Sequence, residues 1–218
     1  MTLIADLSSV RVRRAVVSSW KNNVYLLTVT ATGEQLLIDA AAEPVAIDRL
    51  LDQARTDSAA PTHLTMIVTT HAHADHIAAL AAIHATCDAA LLAGRADGPA
   101  IERRTGVKID RYLDHGDQID FGGIALEVIG LRGHTPGGIA LALTLPGLPA
   151  QLFTGDSLFP GGPGRTDRPG DFDVLMTDLE TKVFAQFGDD AVIWPGHGAR
   201  TTLGQERPQL GQWWARRW

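Results

Sequence analysis

Apolar residues fall along this chain either in short continuous runs or in stripes of helical period, and their order predicts the architecture. Asn23–Thr30 and Glu34–Asp39 are apolar and rich in branched side chains, with the turn-forming Ala31-Thr32-Gly33 between them, which predicts two strands. Ile47, Leu50, Leu51 and Ala54 recur at i, i+3, i+4 and i+7, the stripe of an amphipathic helix ending near Asp57-Ser58. Leu64–Val68 predicts a short strand, and Ile77–Ala85, rich in Ala and Leu, a helix. Further strands are predicted at Ile124–Ile129, Ile139–Leu145, Gln151–Thr154 and Ala191–Trp194, with a Gly/Pro-rich loop at Phe159–Gly170. Phe172, Leu175, Leu179 and Val183 predict a helix with Asp171 as its N-cap. The tail with Trp213, Trp214 and Trp218 is expected to be a helix that packs its indoles on the body. Two strand-rich blocks, each followed by helices, predict an α/β protein: two packed sheets with helices outside. No repeat or linker divides the sequence, so residues 1–218 are expected to form one domain.

The polar residues turn this outline into a functional expectation. His71-Ala-His73-Ala-Asp75-His76 directly follows a predicted strand. Residues two apart in an extended segment point to one side, so His71 and His73 can share a metal ion. If a helix begins near Asp75, that residue and His76 turn the other way and can reach a second ion. Neutral imidazole and carboxylate are ligands that zinc and iron(II) accept. His134 in Gly133-His-Thr-Pro-Gly-Gly138, Asp156 in Phe153-Thr-Gly-Asp-Ser157 and His197 in Pro195-Gly-His-Gly198 follow predicted strands in the same way. Catalytic groups often sit on such loops of a rigid scaffold.

The ordered motifs HAHADH, GHTPGG, TGDSLF and PGHG, preceded by Leu37-Ile-Asp39-Ala, resemble those of the metallo-β-lactamase superfamily, in its glyoxalase II-like branch, over about residues 20–200. The resemblance implies an αββα sandwich with the site at one edge of the two sheets. It implies that His71, His73 and His134 hold one metal, that Asp75, His76 and His197 hold the other, and that Asp156 bridges both. Asp39 would orient the ligand loop from behind. Such a pair of divalent ions, zinc or iron or a mixture, leaves room for a bridging hydroxide that attacks a carbonyl. Asp75 and Asp156 are then the candidate catalytic residues, with Asp75 orienting or shuttling a proton. β-Lactamases of the best-known class carry Cys where this chain has Asp156; Asp there resembles the thioester and ester hydrolases. The implied activity is hydrolysis of an S-acyl thiol, with glutathione or another thiol as carrier.

Two alternatives stay open. The loop Gly162-Pro-Gly-Arg-Thr-Asp167 also resembles that of mononuclear iron persulfide dioxygenases, in which His71, His134 and Asp156 would be the metal ligands. A lactonase or other ester hydrolase of the same fold is the other. Arg165 is a candidate substrate contact, set against the plainer expectation that Arg165 and Asp167 merely pin their loop.

Composition narrows the partners. The chain is 45% hydrophobic and 20% charged, as in globular proteins. A net charge of −6, without an extended basic cluster, disfavours nucleic acid and favours a small-molecule substrate. No apolar run is long enough to span a bilayer, so no membrane partner is expected. The N-terminal order of apolar residues before Arg11, Arg13 and Arg14 is wrong for a secretory signal, and the single cysteine, Cys87, fits a reducing interior. The expected setting is the cytoplasm, as a monomer or homodimer. Cys87 is expected to be a small buried residue, and His63, His84 and His115 to be loop, packing and turn residues.

Overall fold

A computed structural model describes residues 1–217. The described residues form fifteen strands: β1 Thr2–Asp6, β2 Val10–Val17, β3 Asn22–Val29, β4 Glu34–Ile38, β5 His63–Thr69, β6 Ala90–Gly94, β7 Arg111–Leu113, β8 Gln118–Phe121, β9 Ile124–Gly130, β10 Ile139–Leu143, β11 Gln151–Gly155, β12 Leu158–Phe159, β13 Gly162–Pro163, β14 Val192–Pro195 and β15 Thr201–Thr202. The helices are α1 Pro44–Ala54, α2 Ala74–Ile77, α3 Leu80–His84, α4 Gly98–Thr105, α5 Asp171–Leu179, α6 Leu203–Glu206 and α7 Leu210–Arg216; a π-helical turn, Glu180–Phe184, extends α5.

Strands β1 to β7 form one sheet in sequence order, and the second sheet runs β15-β14-β11-β10-β9-β8. Both are mixed: β4, β5, β6 and β7 pair in parallel, as do β11 and β14, and the remaining pairs are antiparallel. Tyr25, Leu27, Val68, Leu126, Val128 and Phe153 pack in the core between the sheets. On the outer face of the first sheet, α1 and α3 bury Ile47, Leu50 and Leu80; on that of the second, α5 and α7 bury Leu175, Leu179 and Trp213. This is the αββα sandwich. The four-layer stack explains the continuous apolar runs, because β3, β10 and β11 are buried along their whole length on both faces.

Several expectations need adjusting. The expected helix Ile77–Ala85 is two short helices, α2 and α3, broken at Ala78-Ala79, whose amides donate to Ala41 and Ala40 of the neighbouring loop. Gly170, with φ +89°, stands at the N-cap of α5, and Asp171 is its first helical residue, where its charge favours the helix dipole. The Gly/Pro-rich loop contains the β12–β13 hairpin. Cys87 is half-buried, its thiol donating to Ile83 O at 3.3 Å. Trp213 is buried and Trp214 packs edge-on to Phe172, whereas Trp218 lies outside the described residues. Strands β1, β2, β6, β7 and β8 and helix α4 add to the expected elements. In β2 the arginines alternate with buried valines, and Arg13 forks onto the buried Asp57 at 2.6 and 2.7 Å.

Phe153 sits wholly buried between the sheets, edge-on to Tyr25 with centroids 5.2 Å apart. Phe153→Ala should lower the unfolding free energy by ~3–5 kcal/mol, read from urea denaturation. A loss below about 1 kcal/mol would contradict this packing.

Candidate metal centre

Each candidate ligand leaves the end of a strand at the same edge of the sandwich: His71 follows β5, His134 follows β9, Asp156 follows β11 and His197 follows β14. The backbone of residues 71–73 is still outside helix, and α2 begins at Ala74, so Asp75 and His76 turn away from His71 and His73. Two groups result. His71, His73 and His134 converge on one side, and Asp75, His76 and His197 on the other, with the ligand atoms of each group within 4.8 Å of one another. The Asp156 carboxylate lies between them, Oδ2 being 3.7 Å from His134 Nε2 and 3.4 Å from His197 Nε2, and Oδ1 3.4 Å from His76 Nε2. The structure thus brings together all seven residues singled out by sequence.

The imidazoles are aimed from behind. Thr70 Oγ1 donates to Asp39 Oδ2 at 2.7 Å, so its free lone pair takes the Nδ1–H of His71 at 3.0 Å. His76 Nδ1 donates to Asp39 Oδ2 at 2.8 Å, His134 Nδ1 to Arg165 O at 2.7 Å and His197 Nδ1 to Trp20 O at 2.8 Å. With Nδ1 committed, Nε2 of each ring faces inward. His73 faces inward through Nδ1, 3.1 Å from His71 Nε2. Asp39 also accepts from Thr70 N at 2.7 Å and is itself in the left-handed region, φ +59°. A non-glycine residue there is strained, and its own hydrogen bonds hold it.

Does this cage suit metal ions? Ligands about 2.0–2.1 Å from a tetrahedral ion lie about 3.3 Å apart. His76 Nε2 and His197 Nε2 are 3.1 Å apart, and Asp75 Oδ2 is 3.3 Å from His197 Nε2. Two inward lone pairs at that distance repel unless a cation lies between them. His134 Nε2 and Asp156 Oδ1 are buried and without a hydrogen-bond partner, an expensive state that a cation relieves. Two glycines keep the cage open: a Cβ on Gly196 would collide with Asp156 Oδ1 and lie 2.7 Å from His76 Cε1, and one on Gly164 would collide with the Asp156 carbonyl. The residues fit divalent ions, and the arrangement implies them.

Electrostatics agree. Burial strips charge from His71, whose pKa falls well below the ordinary histidine value, and also lowers that of His73. At His76 burial opposes the charge, but the Asp39 and Asp156 carboxylates outweigh it and push the pKa up to about 10. At Asp156 burial disfavours the carboxylate, yet the neighbouring His197 and His76 imidazoles carry its pKa well below the usual carboxylate range. His197 is raised too: burial opposes its charge, and the Asp156 carboxylate prevails. Without metal, protons take the place of the cation.

Other residues build the site without having stood out in the sequence. Asn22, wholly buried, donates to Asp75 Oδ2 at 2.9 Å. Asn23 Nδ2 and Tyr25 Oη donate to Pro195 O at 2.9 and 2.7 Å, pinning the His197 loop to β3. Asp97 accepts from Ala72 N at 2.9 Å and Gly137 N at 2.7 Å, tying the His71–His76 loop to the His134 loop. Asp97 follows the apolar run of β6 just as the ligands follow theirs, a signal that could have found it; Asn22 and Asn23 carried none beyond being polar inside a buried strand. The Arg165 side chain is exposed and pairs with Asp167 at 2.9 Å, while its carbonyl fixes His134.

Fold and site together define a metal-dependent enzyme whose histidine and carboxylate loops line one edge of an αββα sandwich. Residues 19–197 match the family model of the metallo-beta-lactamase superfamily, and the chain belongs to that superfamily. It is 32% identical over 160 residues to the hydroxyacylglutathione hydrolase GloC of Haemophilus influenzae, covering 66% of this chain and 74% of the relative. It is 35% identical over 175 residues to the human mitochondrial persulfide dioxygenase ETHE1, covering 78% of this chain and 65% of the relative. Among solved structures, TTHA1623 in a di-iron-bound form superposes with a TM-score of 0.73 at 29% identity, covering 89% of this chain and 96% of that one.

Two predictions follow from this geometry. Because His76, its pKa pushed up to about 10, holds a proton in the metal-free protein, metal uptake should release protons, so zinc affinity rises with pH by about tenfold per unit for each proton displaced. Calorimetry in buffers of different ionisation enthalpy checks this, and uptake that is independent of pH between about 6 and 8 would contradict it. Gly196→Ala should leave the fold cooperative while lowering bound metal to well under half the wild-type content by elemental analysis, since its methyl group intrudes between Asp156 and His76.

Proposed function

We propose that this protein is a binuclear hydrolase that cleaves thioesters of small thiols. The observation carrying the proposal is the complete second group: Asp75, His76 and His197 converge, with Asp156 placed between them and the first group. A mononuclear centre held by His71, His134 and Asp156 would leave that second group without a ligand role. When bound, an ion pair, zinc by preference, supplies Lewis acidity toward the thioester carbonyl and lowers the pKa of a coordinated water toward ~7. His71, His73 and His134 hold one side of the centre and Asp75, His76 and His197 the other. Asp156 spans both sides and stays ionised, its pKa depressed by His197 and His76 despite its burial. Asp75, partly open to solvent and steadied by Asn22, is placed to take up and pass on a proton at its free oxygen. Asp39 keeps His76 turned, so that the ring does not swing out of line when charge changes nearby. The identity to GloC supports this reading.

The identity to human ETHE1 supports a second reading, a persulfide dioxygenase with one iron held by His71, His134 and Asp156. The two differ in outcome. Cleavage of S-lactoylglutathione and other acyl thioesters, abolished by chelator and restored by zinc, is expected, with about two metals per chain. Oxygen uptake with glutathione persulfide, one iron per chain and no thioester cleavage would reverse the assignment. Asp156→Asn should lower kcat/KM by about 100-fold or more, and Asp39→Asn by about 10–100-fold. Wild-type turnover in either variant would count against these roles.

A further inference from the structure

A cleft of about 380 Å³ opens beside the first histidine group, with His73 and His134 in its wall. Arg103 and Arg104 of α4 line one side, and Arg168 of the loop before α5 lines it from the neighbouring loop. The three arginines differ in what they already do. Arg104 donates to Ala72 O and so braces the His71–His76 loop. The guanidinium groups of Arg103 and Arg168 make no hydrogen bond and no ion pair with any described residue, and both side chains are exposed. Two of the three acids in the same cleft are already engaged. Asp97 is buried with its two oxygens taken by Ala72 N and Gly137 N, and Asp167 pairs with Arg165. Asp171, in the first turn of α5, remains as a single carboxylate set against the three arginines of the lining. In an acidic chain, two uncommitted guanidinium groups face a space that begins at the metal centre. Their fixed fork of donors suits a carboxylate or phosphate oxygen pair, and a partly enclosed cleft strengthens the pairing.

We infer that this cleft binds the anionic arm of the thiol carrier and that Arg103 and Arg168 select for its negative charge. The inference rests on the thioesterase reading for what reacts, though not for what the cleft binds. A substrate whose acyl-sulfur bond lies at the centre extends its carrier past His73 and His134 into the cleft. There its carboxylates, or the phosphates of a nucleotide-bearing thiol, meet the two arginines. Neither arginine touches the reacting atoms; both act on binding of the carrier, so their loss should appear in KM rather than kcat.

The test uses the zinc-loaded full chain and three probes that cannot be hydrolysed: S-methylglutathione, its dimethyl ester, and desulfo-coenzyme A. Calorimetry should show one of the two anionic probes binding at least about tenfold more tightly than the carboxylate-blocked ester, with affinity falling as salt rises. The Arg103→Ala/Arg168→Ala double variant should lose roughly tenfold for that anionic probe and little for the ester. Arg49→Ala, on the far helix α1, should change nothing. Preference for S-methylglutathione identifies a carboxylate arm and preference for desulfo-coenzyme A a phosphate arm. Equal binding of all three probes, no binding of any, or unchanged binding in the double variant would each overturn the inference. Thioester turnover measured alongside separates the two ideas. Charge-dependent binding without turnover removes the thioesterase reading alone, and turnover with charge-independent binding removes this inference alone.

Discussion

The site depends on oxygen atoms placed behind its imidazoles. An imidazole buried without direction could turn either nitrogen to the centre, or neither. Here the Asp39 carboxylate, the Thr70 hydroxyl and the carbonyls of Arg165 and Trp20 each engage an Nδ1, and four Nε2 lone pairs are left pointing at the same small volume. That convergence is costly in the absence of a cation. It places nitrogens 3.1 Å apart and leaves His134 Nε2 and Asp156 Oδ1 unsatisfied. Fold stability elsewhere must hold these groups together, and metal binding returns part of that cost as affinity.

The sandwich is suited to bearing such a load. Its inter-sheet core is continuous, and the strands that carry the ligand loops, β5, β9, β11 and β14, contribute Val68, Val128, Phe153 and Trp194 to it. A loop anchored at the end of a buried strand inherits that strand's rigidity, and the loops are then tied to one another. Asp97 joins the His71 and His134 loops, and Asn23 and Tyr25 join the His197 loop to β3. The Asp156 and His197 loops meet through Gly196 N donating to Gly155 O at 2.7 Å. The precision of the cage therefore arises from cross-bracing of loop backbones more than from any single ligand.

Within this superfamily the same frame serves hydrolysis and oxygen chemistry, as the two relatives' names attest. In this chain the second group is complete, and the cleft beyond His73 and His134 is lined by three arginines, two of them with unpaired guanidinium groups among the described residues. On the proposed reading, chemistry at the centre and selection of the carrier lie on neighbouring but separate elements, the strand-end loops for one and α4 with the Arg168 loop for the other.

Much of this was determined by sequence alone. Ligand identity was legible because metal chemistry demands His and Asp at short spacings, and His71–His76 writes that demand into six consecutive residues. The strands that are buried on both faces were legible as apolar runs, and α1 and α5 as stripes. Only the tertiary structure decided the rest. Strand β2 hides its period because Arg11, Arg13 and Arg14 lie among its valines, and the partner that makes Arg13 tolerable, Asp57, is 44 residues away. Asn22 and Asp97 look like ordinary polar residues until distant loops arrive to use their hydrogen bonds, and Arg103 and Arg168 become neighbours of one cleft only when α4 and the loop before α5 fold to the same edge. A ligand is recognisable by its chemical type, whereas a brace or a cleft wall is defined by what it faces, and what a residue faces is settled only when the chain closes on itself.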